Sequence, residues 1–67
     1  MVTWLRNGFL VIESPYNPDF VKDIRLIPYQ SRKWNPDDKT WTVSKEHADF
    51  AYDLCVHYFE NVEEERE

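Results

Sequence analysis

Apolar and polar positions along this 67-residue chain fall into four stretches, two with strand character and two with helical spacing. Val2 to Arg6 and Phe9 to Glu13 are largely apolar and flank Asn7-Gly8. Asn-Gly between such segments signals a hairpin, because both residues tolerate the positive φ of a type I′ turn. A two-residue turn pairs Arg6 with Phe9, Leu5 with Leu10, Trp4 with Val11 and Thr3 with Ile12. Leu5, Leu10 and Ile12 then share one face, and Trp4, Arg6, Phe9 and Val11 share the other.

Asn17-Pro18-Asp19 reads as a helix start: an N-cap, a proline at the first helical position and an acid in the first turn. Phe20, Ile24 and Ile27 follow at helical spacing with Val21 beside them, and Pro28 ends the helix. Tyr29 to Trp34 and Thr40 to Val43 predict a second hairpin around the turn-forming run Asn35-Pro36-Asp37-Asp38-Lys39. A four-residue loop closed by Asn35 and Thr40 sets Trp34 opposite Trp41, Arg32 opposite Val43 and Lys33 opposite Thr42. A cross-strand aromatic pair of this kind contributes roughly 0.2–1 kcal/mol relative to Ala–Ala. Ser44 predicts the N-cap of a last helix over residues 45–62, with an apolar stripe of Ala48, Ala51, Cys55, Phe59 and Val62 widened by Phe50, Leu54 and Tyr58. The order ββαββα predicts a small single α+β domain over residues 1–59, with antiparallel hairpins packed against two helices.

Size sharpens that picture. A chain this short buries only about 60% of its unfolded surface. One cysteine, Cys55, closes no internal disulfide, and two His with one Cys do not fill a four-ligand zinc site. The 16% aromatic content compensates, since each ring buries ~150–250 Å². The N-terminus shows no basic segment followed by an apolar one, so no secretory signal is expected. The longest apolar run, Phe9 to Ile12, is far short of the ~20 residues of a membrane helix. With a lone cysteine besides, the expectation is an intracellular, cytoplasmic protein without membrane contact.

Charge is unevenly distributed. Eight bases against 13 acids give a net −5, but residues 60–67 hold five acids and one base, or −4, which leaves −1 for residues 1–59. Acids at a helix C-terminus oppose its dipole, so residues 60–67 are expected to form a frayed or disordered acidic tail. Within the body, Arg25, Arg32, Lys33, Lys39 and Lys45 stand against Asp37 and Asp38. This local basic strip weakens the usual objection that an acidic protein avoids phosphates.

The chain offers little for catalysis. Cys55 and His57 point to different sides of a helix and form no nucleophile–base pair. His47 and His57 are too far apart to share a metal, and Asp37-Asp38 reads as turn chemistry. Gly8 is the only glycine, so there is no phosphate-cradling loop. No enzyme activity, metal or cofactor is expected. Rings interleaved with bases are more informative: Trp4, Tyr16, Tyr29, Trp34 and Trp41 alternate with Arg6, Arg25, Arg32, Lys33 and Lys39. Such a pattern suits single-stranded nucleic acid, whose bases stack on rings while cations hold phosphates. The alternative, that the tryptophans simply fill a small core, stands beside it.

Pro15-Tyr16-Asn17-Pro18, then Ile24-Arg25-Leu26-Ile27-Pro28, then Arg32-Lys33-Trp34-Asn35-Pro36-Asp37-Asp38-Lys39-Thr40-Trp41-Thr42-Val43 resembles the HARP domain, over about residues 9–59. HARP domains are accessory DNA-binding modules of annealing helicases, and similar small domains accompany helicase cores in some phage and microbial proteins. Arg32, Lys33, Trp34, Lys39 and Trp41 match the motif, and Tyr16 matches the aromatic of its first turn. Tyr29-Gln30-Ser31 departs from it, standing where the resemblance implies a tighter, often glycine-containing approach to the basic residue. The resemblance implies binding to single-stranded, forked or branched DNA in repair or recombination. These 67 residues hold no helicase core, so annealing would need a separate ATPase. Combined with the ring-and-base pattern, it yields a candidate nucleic-acid site of Arg25, Arg32, Lys33, Lys39, Trp34, Trp41, Tyr16, Trp4 and Arg6. The competing expectation is an acidic protein–protein adaptor, such as a phage-type regulator of a nucleic-acid enzyme, acting through its tail or last helix.

Overall fold

A computed structural model describes residues 1–67. Strands β1 (Val2–Trp4) and β2 (Leu10–Glu13) lead into helix α1 (Pro18–Ile24). A 3₁₀ turn over Tyr29–Ser31 precedes β3 (Arg32–Asn35) and β4 (Thr40–Val43), and a second over Lys45–His47 precedes α2 (Ala48–Tyr58). A last strand, β5, covers Glu64–Arg66. The fold is α+β, with one five-stranded sheet in the order β3-β4-β2-β1-β5. All pairs are antiparallel except β1–β5, which is parallel.

The first turn is not the type I′ turn its sequence predicts. Leu5 N–H donates to Phe9 O at 2.8 Å and Gly8 N–H to Leu5 O at 2.9 Å, leaving Arg6, Asn7 and Gly8 as a three-residue loop. Within this turn only Gly8 has a positive φ, +89°, so a turn that needs it at two successive residues is ruled out. Asn7 Oδ1 instead accepts from Phe9 N–H at 3.0 Å. The longer loop moves the register by one residue: Val2 faces Ile12, Thr3 faces Val11 and Trp4 faces Leu10. A one-residue slip exchanges faces. Trp4 therefore joins Leu10 and Ile12, while Leu5 and Phe9 close the loop that holds Arg6.

The second hairpin has the predicted register, with Trp34 opposite Trp41, Lys33 opposite Thr42 and Arg32 opposite Val43. Asn35 Nδ2 donates to Thr40 Oγ1 at 3.2 Å and Thr42 Oγ1 at 2.9 Å, which fixes the base of the loop. Lys39 closes that loop at φ +57°. The strand starts later than expected, because Ser31 N–H bonds back to Pro28 O at 2.8 Å and coils Tyr29–Ser31 into a turn.

Helix α1 starts as its sequence predicts. Asn17 Oδ1 accepts from Asp19 N–H at 2.9 Å and Phe20 N–H at 3.1 Å, with Pro18 at the first position. Phe20 and Ile24 enter the core with Ile27, where Val2, Leu10, Ile12, Trp41, Val43, Ala48, Ala51 and Cys55 meet them. Both helices thus cover the same face of the sheet. The Phe20 ring meets the edges of Phe59 at 5.2 Å and Tyr58 at 6.1 Å, and the Tyr58 hydroxyl donates to Asp23. These contacts clamp α1 to α2. Ser44 makes no capping bond; a 3₁₀ turn takes the place of the predicted first helical turn.

The helix ends at Tyr58, not residue 62, and Phe59 adopts extended geometry. The acidic end is not frayed. Glu64–Arg66 pairs with Val2–Trp4, anchored by Val2 N–H to Glu63 O at 2.8 Å and Glu67 N–H to Trp4 O at 2.9 Å. Backbone hydrogen bonding to an otherwise open sheet edge outweighs the unfavourable charge run. No helix is long and apolar enough to cross a membrane.

Candidate nucleic-acid interface

Beyond the reach of α1, the helix-covered side of β3 and β4 is left open. There the segment Ser14–Val21, the Tyr29 turn and the two strands enclose a groove of about 900 Å³. Its floor is apolar, formed by Ile12, Phe20, Val21 and Trp41. Seven of the nine predicted site residues line it: Tyr16, Arg25, Arg32, Lys33, Trp34, Lys39 and Trp41. Residues up to 25 positions apart in sequence converge because the helix stops at Ile24, before the predicted end at Pro28, and the chain turns back through Tyr29–Ser31 into β3.

The tryptophans divide the two roles left open by the sequence. Trp41 is 8% exposed and belongs to the core, whereas Trp34 is 45% exposed. Their ring centroids lie 5.2 Å apart at an interplanar angle of 54°. The buried ring therefore braces the open one. Tyr16 and Tyr29 are the most exposed rings of the chain, at 82% and 81%. Tyr29 was the less visible of these from sequence, since the strand expected there hid its place on a turn; its alternation with basic residues was the available signal.

The groove lining contains four cations and no carboxylate. The one ion pair of the chain, Arg66 to Glu64 at 3.7 Å, lies elsewhere, so none of the four is neutralised by an acid in contact. Arg32 differs from the other three. Its Nε–H donates to Ile27 O at 3.0 Å, and its guanidinium lies 5.8 Å from the Tyr29 ring centroid. Arg25, Lys33 and Lys39 are exposed. Lys33 belongs to the opposite face of the edge strand and reaches the groove at its rim.

Trp4 and Arg6 do not join this site. Arg6 sits in the β1–β2 loop. Trp4 packs 5.8 Å from Tyr52 and donates through Nε1 to Glu64 Oε1 at 2.8 Å, so β5 and α2 occupy its surroundings. Cys55 is buried, and burial pushes its thiol up to about 11, which keeps it protonated at neutral pH. No three His, Cys, Asp or Glu side chains converge on a common point.

No protein-family model, curated protein or solved structure matches this chain.

Proposed function

We propose that this chain is a small nucleic-acid-binding accessory module that engages single-stranded or forked DNA through the groove between α1 and the β3–β4 hairpin. The observation that carries this reading is the composition of the groove: four unpaired cations, no carboxylate and an exposed tryptophan, in a chain whose net charge is −5. Phosphates find cations there, and unpaired bases find rings. Resemblance to the HARP domain supports a setting beside a helicase or another repair or recombination ATPase.

Fluorescence anisotropy with labelled single-stranded, duplex and forked DNA tests it, at about 50 and 200 mM salt. Binding should favour the strands with unpaired bases and weaken as salt rises. The double substitution Arg25→Glu with Lys33→Glu touches two exposed residues without ion pairs. It should lower affinity by about ten-fold or more and flatten the salt dependence, with the circular dichroism spectrum unchanged. Undiminished binding by this variant would reject the site.

A second reading, an acidic protein adaptor, has its own observation: Glu63, Glu65 and Glu67 stand exposed along the edge of the sheet at β5. A chain that binds no oligonucleotide at the lower salt would leave this reading in the lead.

A further inference from the structure

The groove has an apolar interior as well as a charged rim, and the two select different parts of a nucleotide. Ile12, Phe20, Val21 and Trp41 offer a phosphate no hydrogen-bond partner except the Trp41 indole, and an unpaired charge is costly on such a floor. A base meets the opposite conditions. Its ring buries apolar surface, and the phosphates on either side remain at the rim near Arg25, Lys33 and Lys39. The volume of about 900 Å³ falls within the range of roughly 300–1,000 Å³ typical of small-molecule pockets.

We propose that an unpaired base enters the groove and stacks on Trp34, with its flanking phosphates held outside by the rim cations. This inference rests on the nucleic-acid reading and adds the direction in which the strand faces. Trp34 is placed for the role. Trp41 supports it from the core side at 5.2 Å, and 45% of its surface remains open. Tyr29 stands at the groove with its ring steadied by Arg32, which is itself tied to Ile27 O. Arg32 is on this account a positioning residue, and the phosphate contacts fall to the three cations without such a tie.

The experiment compares two labelled strands of about ten nucleotides with equal phosphate charge, oligothymidylate and an abasic backbone of the same length, on the intact chain at about 50 mM salt. Base entry predicts that the abasic strand binds about ten-fold or more weakly, and that only oligothymidylate quenches tryptophan fluorescence. Trp34→Ala should abolish most of this discrimination, and Trp34→Phe should retain much of it. The comparison of the two strands on the unmodified chain needs no variant to fold. Equal affinity for both strands would overturn base entry while leaving the electrostatic reading intact. Failure of both strands to bind would overturn the two together.

Discussion

Trp34 and Trp4 stand towards opposite ends of the sheet, on its helix-covered side, and their surroundings differ in kind. At the β3–β4 end, Trp34 leans on Trp41 and shares its groove with four cations that no acid in contact neutralises. At the β1–β5 end, the polar groups around Trp4 are satisfied within the chain. Glu64 accepts from Trp4 Nε1 at 2.8 Å and from the Tyr52 hydroxyl at 3.1 Å, and the Arg66 guanidinium lies 5.4 Å from the Trp4 ring centroid. Both ends combine a tryptophan, a second ring and an arginine. One has its arginine paired with a carboxylate of its own chain; the other ties Arg32 to a backbone carbonyl and a ring but leaves its positive charges without a carboxylate partner. A sequence rich in aromatics and bases does not by itself mark a binding surface; the presence or absence of an internal carboxylate partner separates the two ends.

The largest expected effect divides the two members of the open end. Trp41→Ala removes a buried ring and should cost about 3–5 kcal/mol, enough to unfold much of a domain this small. Trp34→Ala removes a half-exposed ring and should cost about 1 kcal/mol. Urea denaturation of the two variants measures both, and equal losses would break the distinction between brace and platform. The next effect belongs to the closed end. Deleting residues 60–67 removes β5, its backbone bonds to β1 and both Glu64 contacts. With net contributions of about 0.5–1.5 kcal/mol per hydrogen bond and the loss of chain ordering in return, about 2 kcal/mol of stability should disappear. Tryptophan emission should shift to the red as Trp4 meets water. A truncated chain with unchanged urea midpoint and emission would show that the strand does not hold in solution.

The same two ends show what a sequence makes legible. The β3–β4 hairpin is local: Trp34 and Trp41 are seven positions apart, and the turn residues between them fix loop length, register and the pairing of rings. Asn17 and Pro18 likewise carry their capping role on their face. Asn7-Gly8 was locally ambiguous, because the same dipeptide serves a two-residue turn or the end of a three-residue one, and the choice decided which face received Trp4. At the closed end the decisive contacts join Trp4 to Glu64, 60 positions apart. Charge patterning at residues 60–67 argued for fraying, and nothing local in that run announced the open sheet edge that would recruit it. The groove was legible as a set of residue types, but its apolar floor depended on how far α1 reaches over the sheet. That reach is a property of packing and not of any motif.

The smallest expected effect isolates one bond of the closed end. Tyr52→Phe deletes the hydroxyl that donates to Glu64 and keeps the ring beside Trp4. The hydrogen bond to Glu64, reinforced by partial desolvation and by the negative charge of Glu64, holds the Tyr52 hydroxyl above the usual phenol range. A group whose folded value is raised contributes its full share below the unfolded value, here about 10, and loses it as the pH climbs through the folded value. The unmodified chain should therefore be slightly more stable than Tyr52→Phe at neutral pH, and the gap between them should close as the pH rises past about 10. Tyr58 is raised in the same direction by its bond to Asp23, so both proteins lose some stability at high pH and only the difference between them reports on Tyr52. Urea midpoints of the two proteins across that range measure the gap. A constant gap would mean that the Tyr52 hydroxyl does not engage Glu64, and the closed end would then rest on the Trp4 bond and the strand pairing alone.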